Sequence, residues 1–194
     1  MNKNIFKLKT ELQFLNEIQK KKNHSQRSIS EKLNIALGLS NSLVKKFVNK
    51  GFLKLSEAPM KRYFYFITPK GLTEKMKLTR DFLKSSLEFY NLVRVQYEKI
   101  LIKIKKKNPE KIYFYGISEL TEIAILSAKI NNIKIDGIYD PSSKKSEFCD
   151  LRVIHKLNAQ MSKKGVFFIH TEKKVLSSRN EKINIIIPNF LQMN

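Results

Sequence analysis

From Thr68-Pro69 to Asn108-Pro109 the chain contains no internal proline and, past Gly71, no glycine. Thr68 is an N-cap residue type, and Pro69 occupies a first helical position, where a missing N–H costs nothing. The stretch therefore predicts one helix of up to about 38 residues, roughly 57 Å long at about 1.5 Å per residue. Its alternative is a break near Phe89–Asn91. This run divides the chain into residues 1–70, 71–109 and 110–194. Met76, Leu83, Tyr90, Val93, Tyr97, Ile100 and Ile104 fall in alternating steps of three and four once Thr79 and Ser86 fill the gaps. Helices longer than about 25 residues with such a seam pair with their own copy, so a homodimer through residues 71–109 is expected.

Ahead of the long run, Ile5, Leu8, Leu12, Leu15 and Ile18 mark one apolar helical face, ending in Lys20, Lys21 and Lys22. Those lysines suit a solvated helix C-terminus better than direct phosphate contact. Ser25 is placed to cap a second helix that turns Ile29 and Leu33 inward. Asn34 then falls where the turn needs positive φ, which Asn tolerates. A third helix is predicted from about Leu37 to Lys50, with Leu43, Val44, Phe47 and Val48 as its core stripe and Gly51 as its stop. Opposite that stripe stand Asn41, Ser42, Lys45, Lys46 and Asn49. A major groove admits one such helix, its early residues reaching base edges and its later lysines reaching phosphates. Ser25, Gln26 and Arg27, at the head of the second helix, complete the candidate contacts on this element.

Two extended runs follow, Phe52–Glu57 and Arg62–Thr68, bracketing Ala58-Pro59-Met60-Lys61. Tyr63 and Tyr65 alternate with Phe64 and Phe66, as a strand requires. Phe64 and Phe66 are expected to pack on the helices. Lys61 and Arg62 near the tip would lie along a minor groove or flanking phosphates. Three helices, a two-stranded wing and a capped helix predict an α+β winged helix-turn-helix with double-stranded DNA as partner.

The net charge of +21, concentrated on the first 109 residues, agrees with a phosphate-binding footprint. Abundant Lys, Ile and Asn are also what an AT-rich genome produces, so charge alone decides little. Cys149 is the only cysteine, which excludes a disulfide framework or a cysteine-rich zinc site. His24, His155 and His170 lack Cys or acidic neighbours at metal-ligand spacing. No triad, phosphate loop ending in GK[ST] or paired-carboxylate spacing stands out. Neither an enzyme, a metal site nor a resident cofactor is expected. The N-terminus is broken by charge every few residues and no apolar run reaches membrane-spanning length, which predicts a cytoplasmic protein with no membrane partner.

After the Lys105–Pro109 joint, short apolar runs alternate with helical ones. Strands are predicted at Ile112–Tyr115, Ile133–Tyr139, Gly165–Ile169 and Ile183–Ile187, with Val153–Ile154 as a short edge strand. That alternation predicts a small α/β Rossmann-like parallel sheet with helices on its faces. A dinucleotide fold would hold its pyrophosphate at the first βα turn and its ribose on an acid about 20 residues later. Gly116, Ser118, Glu119 and Asp140 occupy those places, but Ser118 and Thr121 stand where further glycines are usual. Without the second glycine the backbone approaches a pyrophosphate less closely, so a nucleotide or nucleotide-sugar effector stands as candidate ligand against a degenerate domain kept for regulation or assembly, which the missing glycines favour. A second reading of the whole chain follows: a nucleotide-binding protein whose winged helix mediates protein or RNA contacts.

Residues from about Thr10 to Tyr97 resemble the MarR-type winged-helix regulators found with exopolysaccharide biosynthesis genes. The resemblance lies in SQRSISEKLNI, LVKKFVNKGF, YFYFITPKGL and LTRDFLKSSLEFY. Residues from about Lys111 to Phe190 look like the small Rossmann-like domain at the N-terminus of sugar O- and N-acyltransferases, through YGISELTEIA and GIYD. No acyltransferase repeat follows, so that activity is not implied. Together the resemblances imply a transcriptional regulator of surface-polysaccharide genes with a C-terminal sensing domain.

Overall fold

The computed structural model describes residues 3–20, 26–58, 62–172 and 183–192. The chain forms two compact units, Met1–Glu88 and Phe89–Asn194.

The first unit holds α1 (Lys3–Lys20), α2 (Gln26–Leu33), α3 (Leu37–Asn49) and the strands β1 (Leu53–Ala58) and β2 (Arg62–Ile67). It also holds the start of α4 (Pro69–Lys105), a 37-residue helix. No break occurs near Phe89–Asn91. The start signal works as the residues predict: the Thr68 hydroxyl accepts from Gly71 N at 3.0 Å. The same hydroxyl lies 2.7 Å from the Gly51 carbonyl, tying the helix start to the end of α3. The core collects Phe14, Leu15 and Ile18 from α1, Ile29 from α2, and Leu43, Val44 and Phe47 from α3. Phe52, Leu53, Tyr65 and Leu78 close it. Phe47 is its centre, with ring centroids 5.8 Å from Phe14 and 6.1 Å from Phe52.

The wing departs from expectation. Its core-facing aromatic is Tyr65, which is buried, whereas Phe66 is exposed and Phe64 half-buried. The antiparallel register explains this. Leu53 pairs with Ile67 and Leu55 with Tyr65, so these side chains share one face. Phe64 and Phe66 stand with Ser56 and Lys54 on the other. Two aliphatic anchors set the face, and the tyrosine keeps a polar partner by hydrogen-bonding the Gln26 side chain. Burial raises the Tyr65 hydroxyl above its usual pKa.

The second unit is built on a six-stranded sheet in the order β5-β6-β4-β3-β7-β8. Its strands are β3 (Lys111–Tyr115), β4 (Gly137–Tyr139), β5 (Glu147–Phe148), β6 (Leu151–Ile154), β7 (Val166–His170) and β8 (Ile185–Ile186). All neighbours are parallel except the β5–β6 hairpin. The sheet is thus mixed, and β5 takes the edge that Val153–Ile154 was expected to hold. Chain order reverses between β3 and β7, since β4 and β6 wind to one side and β7 and β8 to the other.

The even alternation of strand and helix does not appear among the described residues. One full helix, α5 (Glu119–Ile130), a 3₁₀ turn at Ala159–Ser162 and the four-residue α6 (Asn189–Gln192) accompany the sheet. Between β4 and β6 the chain instead turns at Asp140-Pro141-Ser142-Ser143, where proline and side-chain acceptors favour a turn over a helix.

The predicted α4 seam divides. Val93, Tyr97 and Ile104 are buried with Leu101 in the core of the second unit, beside Phe114, Ala124, Ile138 and Ile169. Tyr97 is fully covered and its hydroxyl donates to the His170 carbonyl at 3.2 Å. Met76 and Leu83 remain 68% and 57% exposed, in line with exposed Leu72 and Leu87. Apolar spacing marks a covered face but does not say whose atoms cover it. Here the last third of the helix is covered by its own unit.

Candidate nucleic-acid interface

The geometry of α3 begins in the turn before it. Asn34 adopts φ +50°, and backbone bonds from Asn34 N to Glu31 O (3.2 Å) and Ile35 N to Ser30 O (3.0 Å) close α2. Buried Ser40 then donates to the Gln26 carbonyl at 3.0 Å, pinning α3 to the start of α2. These contacts fix which side of α3 is left outside.

On that outer side Ser42, Lys45 and Asn49 are exposed and follow each other at spacings of three and four. Among the described residues, none of the three side chains has a hydrogen-bond or ion-pair partner. Asn41 shares the face but is half-buried, and its Oδ1 is enclosed without a hydrogen-bond partner. Lys46 departs from the predicted phosphate contact. Its Nζ lies 2.6 Å from Glu11 on α1, with the Glu11 side chain nearly covered. The physical reason is angular: one residue past Lys45 is about 100° around a helix of roughly 3.6 residues per turn, enough to bring Lys46 to the flank facing α1. Arg27 is 82% exposed and loosely paired with Glu31 at 3.6 Å. Gln26 is half-buried and holds Tyr65. Ser25 and Lys61 lie outside the described residues, and Arg62 is placed as the Ala58 partner at the end of the wing.

Two features of this face escaped the sequence reading. Gly38, in the first turn of α3, is exposed and meets nothing within 4 Å on its open side. The helix also starts at Ala36 with no side-chain cap, leaving first-turn N–H groups uncapped by the protein. Both are visible in the residues Ala36-Leu37-Gly38, which lack any capping type. Lys54, exposed on the outer face of β1, is a third cation of the wing.

The second candidate site, at the end of β3, is assembled but closed on itself. Gly116 has φ +90°, and a side chain there would collide with that of Glu172. The Thr171 and Thr121 hydroxyls lie 2.7 and 2.9 Å from the Gly116 carbonyl. Ser118 caps α5 in a reciprocal box with Thr121, and its hydroxyl also bonds the Thr171 carbonyl. Asp140 is buried, and its carboxylate accepts from Ile117 N at 3.0 Å and from Ser142 N and Ser143 N at 2.9 Å each. Glu119 is exposed in the first turn of α5, where Glu122 adds a second carboxylate. The four predicted residues do come together. The polar atoms of Gly116, Ser118 and Asp140 are engaged by neighbouring backbone and threonine groups, and two acids stand where a helix N-terminus would otherwise favour a phosphate.

No group of three or more His, Cys, Asp or Glu able to hold a metal occurs among the described residues. No described helix is long and apolar enough to cross a membrane.

Comparison with known proteins agrees with this geometry for the first unit. Residues 8–54 match the family described as winged helix-turn-helix DNA-binding. The N-terminal part of the chain is therefore a winged helix-turn-helix DNA-binding domain. Among solved structures, the chain is similar to FabT of Streptococcus pneumoniae in a crystal complex with DNA, at 21% identity. That similarity covers 63% of this chain and 69% of FabT at a TM-score of 0.32. The superposition is loose, and the class rests on residues 8–54. No curated protein matches.

Proposed function

We propose that the protein is a sequence-specific transcriptional regulator that binds duplex DNA through the outer face of α3. The observation that carries this reading is the row of Ser42, Lys45 and Asn49, exposed and without a partner among the described residues, on the second helix of a winged helix-turn-helix. Lys45, Arg27 and the wing cations supply salt-dependent affinity, while Asn41 and Ser42 contribute to base reading. The protein works in the cytoplasm as a homodimer, joined through the exposed Leu72, Met76, Leu83 and Leu87 of α4 rather than through the buried last third. The motif resemblance supports a regulator of the MarR type acting on exopolysaccharide genes, with the second unit as its sensing part.

Fluorescence anisotropy with labelled duplexes tests the interface. Lys45→Ala should weaken binding to every duplex and lower the salt slope by about one, whereas Asn41→Ala should alter the ranking of sequences. If neither substitution changes binding at moderate salt, α3 is not the reading element. Deletion of the gene should change exopolysaccharide transcripts; unchanged levels would remove that target class while leaving DNA binding intact.

A further inference from the structure

The second unit contains a cleft of about 510 Å³ that the sequence reading did not single out. One wall is the last part of α4 and the turn after it, presenting Lys99, Lys103 and Lys107. The floor is apolar, made by Ile100, Ile104 and Phe167 with Ile186 and Ile187, and Gln96, Asn184 and Asn189 supply amide groups at the rim. Among the described residues no carboxylate lines it. Among the described residues none of the three lysines has an ion-pair partner, and Lys107 Nζ lies 5.5 Å from the Phe167 ring centroid.

The charge arrangement is the informative part. Lys99, Lys103 and Lys107 recur every four residues, and no acid stands three or four positions from any of them on α4. Like charges at that spacing repel by a few tenths of a kcal/mol per pair. The usual remedy is in use elsewhere on the same helix, where Arg94 meets Glu98 at 2.5 Å. In the cleft the repulsion is left uncompensated over an apolar surface, which favours an occupant with several negative charges and a flat apolar body. The volume falls within the range of small-molecule sites, about 300–1,000 Å³.

We propose that this cleft, and not the glycine turn at Gly116, binds a nucleoside phosphate. The phosphates lie along Lys99, Lys103 and Lys107, the base rests on Phe167 and the isoleucines, and the rim amides meet its polar edge. This gives the sensing role proposed above a site and a ligand class, and only the word sensing rests on that reading. Binding itself is measured without DNA, so failure here leaves the DNA-binding assignment standing, and failure of that assignment leaves this site standing.

Calorimetric titration of the full chain with ADP, pyrophosphate and adenosine tests it. ADP should saturate and bind about tenfold or more tighter than either fragment, since the cleft offers both charge and apolar contact. Lys103→Gln should weaken ADP by about tenfold, the scale of a lost charge-assisted hydrogen bond, while the charge-matched control Lys163→Gln stays within about twofold. Far-ultraviolet circular dichroism of both variants checks that they remain folded. Absence of saturable ADP binding, equal loss in both variants, or a fragment binding as tightly as ADP would each overturn the proposal.

Discussion

Two places in this molecule, the outer face of α3 and the turn between β3 and α5, present hydroxyl, amide and charged side chains, and they differ in what those groups touch. At α3 the groups of Ser42, Lys45 and Asn49 face outward with no side-chain partner among the described residues. At the end of β3, Ser118, Thr121 and Thr171 bond one another and the Gly116 carbonyl, while Asp140 accepts from the Ile117, Ser142 and Ser143 amides. The first surface retains its hydrogen-bonding capacity for a ligand. The second has already used that capacity to hold β3, α5 and the Asp140–Ser143 turn together. Residue types suited to a site are thus weak evidence of one until their partners are counted.

The contrast is broken most easily at Asp140. If its carboxylate is structural, Asp140→Ala leaves the Ile117, Ser142 and Ser143 N–H groups without their acceptor and should destabilise the chain by about 3–5 kcal/mol. Denaturant unfolding measures it; a loss under about 1 kcal/mol would return Asp140 to the list of ligand-binding residues. A smaller effect is expected at Gly116, whose φ of +90° and contact with Glu172 leave no room for a side chain. Gly116→Ala should cost about 1–3 kcal/mol, read from the same unfolding curves.

At Lys46 the two kinds of surface meet. Lys46→Met strands the covered Glu11 carboxylate, so a loss of about 1–2 kcal/mol is expected, with most of it recovered in the Glu11→Gln, Lys46→Met double variant. A Lys46→Met variant that keeps full stability but loses DNA affinity would restore Lys46 to the interface. The smallest effect belongs to the open face. Asn49→Ala should change unfolding free energy by no more than about 0.5 kcal/mol, while lowering duplex affinity. A large stability loss there would mean that α3 packs its outer side.

Much of the first unit is legible in the residues because its signals are local. Asn34 at positive φ, Gly51 as a stop, and Thr68-Pro69 as a start all act within one or two turns of chain. The core stripe Leu43, Val44 and Phe47 follows from helical spacing, since any apolar partner satisfies it. Strand positions were harder. Alternation separates Tyr65 from Phe64 and Phe66, but only pairing with Leu53 and Leu55 decides which set turns inward. In the second unit the β3 strand, the capped α5 and the β5–β6 hairpin are set locally, whereas the strand order and the brevity of β8 depend on neighbours distant in sequence.

The sequence by itself determined the class: two helices and a turn, a wing behind them, and one long capped helix. Each is specified by spacing, caps and breakers acting over a few residues. Only the tertiary structure decided which of the polar groups remain available. Lys46 is taken by Glu11, Asp140 by three backbone amides, and the end of the α4 seam by its own sheet. The Lys46–Glu11 pair and the Asp140–Ile117 bond join residues far apart in the chain, and helical or strand periodicity, which records only that a face is covered, carries no information on what covers it.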